Sequence, residues 1–353
     1  MEKLRVGVIG CGQIAQIMHL PYLMELPQFE IAAVCDISAK VVNTVGEWYG
    51  VGNRYVEYED LLAQPDIDIV AVLTMDHGDI AEAAAEAGMH LFVEKPFCFD
   101  PAEGYRVLDA VERAGVQLMV GYMKRYDPGY EYGMLRMRAM DDVRLIRVHD
   151  FAGDFNVHEP LYTLVTGDDI PSDVLAAGAA KIDAAAKTAL GASHAHLSDL
   201  FNMLLMLSSH DLAILRGAFG AAEGVRFSDA ISPTEIVSVL DFGHQRRCVF
   251  EAGVWPDYLW WDEQLTAYGK SETVSIAFPN PYVKYAPTTV TIQANENGSP
   301  VQKVVPASHE EAFRLEWLHF YDCICEGREV RTTGADANAD VELAVEMIRA
   351  IGV

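Results

Sequence analysis

The chain has 353 residues, enough for two domains with separate hydrophobic cores. Its composition, 51% hydrophobic and 22% charged, is that of a globular protein and excludes a disordered chain. Lys and Arg total 26 against 52 Asp and Glu, a net charge of −26. That balance works against nucleic-acid and anionic-lipid partners, and leaves neutral, hydroxyl-rich small molecules as a compatible ligand class.

From the N-terminus, Met1-Glu2-Lys3 passes straight into an apolar run at 4–9 without a signal-peptide core, and no stretch reaches the ~20 apolar residues of a membrane span. An amphipathic stretch to about Leu26 follows, then an apolar run at 31–35 and a helical stretch from Ser38. Further apolar runs at 69–73, 90–93 and 117–120 alternate with helical patterns at 80–87 and 101–114. The second of these opens with Asp100 as N-cap, Pro101 at the first helical position and Glu103 in the first turn. Short, continuously apolar strands between helices predict an α/β domain over 1–125, a doubly wound parallel Rossmann sheet covered on both faces. Past Tyr130 the rhythm changes. Longer alternating segments at 143–151, 235–242, 246–254, 260–268 and 288–294 are joined by turns such as Phe242-Gly243-His244. They predict an α+β domain over 126–353 with a large, mostly antiparallel open sheet. Helical patterns fall at 172–190 (an Ala-rich insertion), 197–217, 310–326 and 335–351, the last placed to pack back on the first domain. Cysteines 11, 35, 98, 248, 323 and 325 lack zinc-ligand spacing, and His194 and His196 lack the i, i+4 spacing of paired ligands. The expectation is reduced, mostly buried thiols, a cytoplasmic setting and no metal.

Val8-Ile9-Gly10-Cys11-Gly12-Gln13-Ile14-Ala15 reads as a strand, a glycine turn and a helix. The backbone over Gly10, Gly12, Gln13 and Ile14 can then receive a pyrophosphate at the positive helix end. Asp36 ends the second strand, where an acid accepts hydrogen bonds from an adenosine ribose and repels a 2′-phosphate. That favours NAD, with NADP kept as the alternative because Lys40 lies close; capping the next helix is the plainer role for Asp36. Thr74 and His77, in Thr74-Met75-Asp76-His77, reach the same sheet edge and can touch a nicotinamide ribose, or the segment simply caps the following helix.

Phe92-Val93-Glu94-Lys95-Pro96 is a buried strand that delivers a lysine to that edge. A partly desolvated ammonium there suits proton transfer, with Glu94 orienting it or holding a cofactor group. His210, in Leu207-Ser208-Ser209-His210-Asp211, titrates near neutrality and is the second proton-transfer candidate, a core or capping histidine being the alternative. Gly121-Tyr122-Met123-Lys124-Arg125-Tyr126-Asp127-Pro128 mixes aromatic and basic groups, with Lys124 and Arg125 as candidate contacts to a polyhydroxylated substrate or to the other domain. Trp255, Tyr258, Trp260 and Trp261 read as sheet or interface packing more readily than as a sugar-stacking surface.

Together these segments resemble the glucose–fructose oxidoreductase / inositol dehydrogenase / rhizopine-catabolism (Gfo/Idh/MocA) family. The matching points are GCGQIA, Asp36, Glu94-Lys95-Pro96, GYMKRYDP, Ser209-His210-Asp211, and Phe320-Tyr321-Asp322 followed by Gly327-Arg328 and Thr332. The resemblance implies a Rossmann domain joined to an α/β domain whose open sheet builds homodimers or homotetramers. It also implies NAD(P)-dependent oxidation or reduction at a sugar or cyclitol carbon. Lys95 and His210 would form the catalytic proton-transfer pair, with His77, Met123 and Lys124 beside cofactor or substrate. Met206 departs from the pattern, standing where an aspartate is usual four residues before the histidine, and Ala213 replaces an acid three residues after it. The expected activity is hydride transfer between nicotinamide and a secondary alcohol or ketone of a sugar, amino sugar or cyclitol. An NAD-retaining glycosidase and a non-catalytic dinucleotide or sugar sensor are the alternatives.

Overall fold

The computed structural model describes residues 3–352. Its first part runs β1 (Leu4–Ile9), a π-helical turn (Ala15–His19) continuing as α1 (Leu20–Glu25), β2 (Phe29–Cys35), α2 (Ala39–Trp48), β3 (Asn53–Tyr55), α3 (Tyr58–Leu62), β4 (Ile69–Val72), α4 (Gly78–Glu86), β5 (His90–Glu94), α5 (Pro101–Ala114) and β6 (Leu118–Gly121). The six strands pair in parallel in the order β3-β2-β1-β4-β5-β6. The order reverses direction between β1 and β4, the switch point where ligands bind in doubly wound sheets. Val6, Val8, Val70, Ala71, Leu91 and Phe92 are fully buried, which is why these strands read as unbroken apolar runs. The caps of α5 follow the sequence: Asp100 Oδ1 accepts from the Ala102 N–H at 3.0 Å, and Gly115 closes the helix with φ 68°.

The chain continues through α6 (Pro128–Arg138), β7 (Leu145–Ala152), a 3-10 turn (Phe155–Leu161), α7 (Ser172–Leu190) and α8 (Ser198–Phe219). Then come β8 (Gly224–Ser232), β9 (Glu235–Asp241), β10 (Arg247–Val254), β11 (Trp261–Tyr268), β12 (Glu272–Phe278), β13 (Thr289–Glu296), β14 (Ser299–Pro306), α9 (Ala312–Glu326) and α10 (Gly334–Arg349). The eight later strands form one sheet, β14-β13-β12-β11-β7-β10-β9-β8, antiparallel except for the β7–β10 pair. The buried side of α8 lies against β7 and β10, and Val148, Phe250, Leu265 and Ile276 fill the core on the sheet side.

Contacts divide the chain into two compact units. The first gathers the chain up to Gly121 with 159–185 and 313–338; the second gathers 122–158, 186–312 and the chain from Ala339 onward. The sequence placed one boundary near 125, with the last helix packing back on the first domain; that helix lies mostly in the second unit, from Ala339 on. The chain instead returns to the first unit twice. In α9, Trp317 stacks on Phe92 of β5 with ring centroids 4.3 Å apart and meets Phe29 of β2 edge-on at 5.4 Å. Such long-range aromatic contacts leave no trace in local periodicity.

Candidate functional site

The first unit's site begins at the carboxyl ends of β1, β4 and β5, three neighbours in the sheet. Gly10 has φ 92°, and a Cβ there would lie 2.8 Å from the Leu73 and Thr74 backbone, so only glycine fits this turn. Gly12 is different: it is exposed, and an added Cβ would meet no protein atom within 4 Å. The open space in front of Gly12 is what close approach of a pyrophosphate to the backbone requires. Gln13 and Ile14 open the helix that follows, so the positive helix end faces this turn.

Asp36, just past β2, ties the edge together. Its Oδ2 accepts from the Cys11 N–H and its Oδ1 from the Ser38 N–H, both at 2.8 Å. Burial pushes its pKa up and the Asp169 charge adds to this, while the two N–H donors pull it back only partly. Capping of α2 falls to Ser38, whose Oγ accepts from the Val41 N–H at 3.0 Å.

At the β4 end, Thr74 Oγ1 donates to the Asp76 carbonyl at 2.6 Å, and Asp76 pairs with Lys181 at 2.5 Å. His77 is buried, with Nδ1 2.8 Å from the Pro96 carbonyl oxygen. A carbonyl only accepts, so Nδ1 carries the proton and Nε2 presents a lone pair that has no hydrogen-bond partner among the described residues. Burial lowers the His77 pKa, so the ring stays neutral at physiological pH. A buried acceptor without a donor costs about 1–3 kcal/mol, which a ligand hydroxyl would relieve.

Glu94 ends β5, and a chain of hydrogen bonds holds it. Trp317 Nε1 donates to His19 Nδ1 at 3.1 Å. Indole only donates, so His19 Nδ1 accepts and Nε2–H donates to Glu94 Oε1 at 2.9 Å. Glu94 Oε2 in turn accepts the backbone N–H of Lys95 at 2.9 Å. Burial alone would raise the Glu94 pKa; the His19 hydrogen bond, the Lys95 ammonium and the Lys95 N–H outweigh it and hold the pKa below the ordinary carboxylate value. Lys95 is half-buried at the edge, its backbone fixed by this relay and followed by the buried Pro96. Neither His19 nor Trp317 was singled out from sequence. The available signal was a lone polar residue, His19, inside the apolar stretch 17–23.

The second unit holds a separate constellation. His210, on α8, meets the Tyr122 ring edge-on at 5.8 Å. Beside it in sequence, Asp211 shares a buried cluster with Asp150 of β7 and Glu263 of β11, their oxygens within 4.8 Å of one another. Ser208 donates to Asp150 at 2.5 Å, Trp261 Nε1 donates to Glu263 at 2.8 Å, and the buried ammonium of Lys124 is ion-paired with Glu263. One cation cannot balance three buried carboxylates. Burial and the neighbouring Asp150 and Glu263 charges drive the Asp211 pKa well above the ordinary carboxylate range, favouring its protonated form. Burial works against the Lys124 charge, but the surrounding carboxylates win and raise its pKa.

These contacts change the reading of the 121–128 segment. Lys124 faces the unit's own acidic cluster, within 6 Å of the Trp261 and Phe278 ring centroids (5.8 and 5.5 Å). Arg125 Nη1 donates to the Ala213 carbonyl at 3.1 Å, and Met123 is buried. Lys124 Nζ and Arg125 Nη1 thus each have an acceptor within the second unit. Asp150 and Glu263 went unnoticed in the sequence because an acid on an alternating strand carries no local sign of being buried. No helix among the described residues is long and apolar enough to cross a membrane.

A parallel 3-2-1-4-5-6 sheet with a strand–glycine turn–helix at its switch point defines a dinucleotide-binding Rossmann domain. Residues 4–122 match the GFO_IDH_MocA family model, described as an oxidoreductase family with an NAD-binding Rossmann fold. Inositol 2-dehydrogenase of Salmonella typhimurium is 33% identical over 132 residues, which is 36% of this chain and 39% of the relative, so the chain matches well under half of that relative's length. Two solved structures share the fold across nearly the whole chain. KijD10, a 3-ketoreductase from Actinomadura kijaniata in complex with TDP-benzene and NADP, gives a TM-score of 0.75 at 18% identity, covering 99% of this chain and 98% of its own. An aldose–aldose oxidoreductase from Caulobacter crescentus gives 0.75 at 22%, covering 99% and 97%.

Proposed function

We propose that the chain is an NAD(P)-dependent oxidoreductase acting on a secondary alcohol or ketone of a sugar, amino sugar or cyclitol. The observation that carries this reading is one sheet edge on which the open Gly12 turn, the orphaned His77 Nε2 and the relay-held Glu94–Lys95 end three neighbouring strands. The residues fit a dinucleotide: the 10–14 backbone for the pyrophosphate, Asp36 for the adenosine ribose, and Thr74, His77 and Glu94 toward the nicotinamide end. A bound nicotinamide supplies the hydride exchange; the protein supplies orientation and proton management.

Lys95 is the proton-transfer residue in this reading. Its neutral amine takes up the substrate hydroxyl proton in oxidation and the resulting ammonium returns it in reduction, and the Trp317–His19–Glu94 relay keeps its backbone in one place. His210 assists, taking the role the resemblance gives it although Met206 replaces the usual aspartate. The substrate class rests on the relative named for inositol, the solved neighbour named for aldoses and a net charge of −26, which suits neutral polyols. Six free cysteines, five of them buried, accord with a cytoplasmic setting, and assembly into a homodimer or homotetramer through the open sheet completes the reading. The test is Lys95→Met. Turnover should fall by about 10²–10⁴, the usual contribution of a positioned acid–base group. Full turnover in a correctly folded variant would remove Lys95 from the chemistry.

A further inference from the structure

The segment 159–185 belongs to the first unit, and it lies along the adenosine end of the candidate dinucleotide site. Gln16 clamps it: the amide Nε2 donates to the Val165 carbonyl and Oε1 accepts the Val165 N–H, both at 2.9 Å, while Nε2 also donates to the Cys11 carbonyl at 2.8 Å. Gly167 follows, where an added Cβ would lie 3.0 Å from the Ser38 Cβ. The strap then delivers two acids to the start of α2. Asp169 accepts from the Ser38 hydroxyl through Oδ1 and from the Lys40 N–H through Oδ2, the latter at 3.0 Å. Asp168 pairs with the Lys40 ammonium at 2.7 Å.

These donors are the ones a phosphate would need. In a Rossmann site the adenosine 2′-oxygen lies beside the acid that ends the second strand, here Asp36. A phosphate on that oxygen brings nearly two negative charges and seeks N–H groups, hydroxyls and a cation. Within reach of Asp36, the Ser38 hydroxyl, the Lys40 N–H and the Lys40 ammonium already serve carboxylates of the same chain. The charge of Asp169 is felt at Asp36, whose pKa it helps to raise. Lys40, which from sequence alone argued for NADP, is neutralised.

We propose that the Asp168–Asp169 pair is the cofactor-selectivity element of this chain: it occupies the anion position at the start of α2, so that the site takes the 2′-hydroxyl dinucleotide and rejects the 2′-phosphorylated one. This rests on the dinucleotide-binding reading above. The acids arrive on the segment that precedes the 172–190 helix, so selectivity here is set outside the βαβ unit that binds the ribose.

Isothermal titration of the full-length protein with NADH and NADPH tests it, alongside Asp168→Asn/Asp169→Asn and the same pair combined with Lys40→Met. Wild type should prefer NADH. The double variant should shift the NADPH-to-NADH affinity ratio toward NADPH by about ten- to a hundredfold, the range of one charge-assisted hydrogen bond gained or lost. Adding Lys40→Met should reverse most of that shift, which a merely structural effect of the strap would not do. An unchanged ratio in a double variant that melts like wild type overturns the proposal and leaves the dinucleotide reading standing. Binding of both dinucleotides only after the acids are removed overturns it in favour of a strap that closes the site altogether. Binding of neither dinucleotide to any of the proteins overturns the proposal and the reading together.

Discussion

His19 is the residue on which the placement of Lys95 depends most. It joins an indole that can only donate to a carboxylate that can only accept, and no other residue type of similar size offers one acceptor and one donor on opposite sides of a ring. His19→Leu removes both bonds inside the core, and a loss of about 2–4 kcal/mol is expected from two buried groups deprived of partners, read from urea unfolding. The pH dependence of stability has two opposing parts. The folded pKa of Glu94 is depressed, so its contribution is present above the ordinary carboxylate value of about 4.3 and lost as pH falls through the folded value. Asp211 has the opposite sign. Its folded pKa is raised, so relative stability is greatest below about 3.9 and declines as pH rises toward the folded value. Asp211→Asn should therefore gain on wild type as pH rises from 5 to 8, measured by unfolding midpoints at each pH. A constant difference across that range would mean that Asp211 is ionised in the fold.

Among the elements, the β1 turn separates a glycine packed against backbone from one facing open space. Gly10→Ala places a Cβ against the Leu73–Thr74 backbone in a left-handed conformation, and a destabilisation of about 1–3 kcal/mol should appear in a thermal melt. Gly12→Ala meets no protein atom, so the melt should hold while NADH affinity drops by tenfold or more, the loss of a close backbone approach. Equal effects of the two substitutions on melting would contradict this division. These elements were legible in the sequence because their signals are local: an apolar run, a glycine turn and a helix start lie within a dozen residues. The relay that fixes Glu94 was not legible, since Trp317 lies 298 residues from His19. The same holds for Asp169, which acts on Ser38 from 131 residues away. The partner of Lys124 was hidden for the same reason. Basic and aromatic residues suggest a ligand surface, but the acids that hold Lys124 come from a distant strand.

For the whole molecule, sequence periodicity recovered the parallel sheet, the antiparallel one and the long helices that accompany them. It missed the three-residue β3 and β8, β12 and β14; β8 and β14 present mostly half-exposed or exposed residues with little apolar alternation. It also drew one domain boundary where the chain crosses between units several times, because the returning segments 159–185 and 313–338 are assigned by tertiary contacts alone. The insertion read as a local Ala-rich helix thus proves to belong with the Rossmann sheet, where its Lys181 pairs with Asp76 and Asp79 beside β4. The central claim is that this scaffold exchanges a hydride with a nicotinamide cofactor at a polyol carbon. The most direct measurement is absorbance at the NADH band after mixing the purified protein with NAD and a panel of cyclitols, sugars and amino sugars. A rise is expected with at least one of them, and its loss in Lys95→Met. A protein that binds NAD yet leaves the band flat across the panel, while cleaving an aryl glycoside or merely binding sugar, would contradict it.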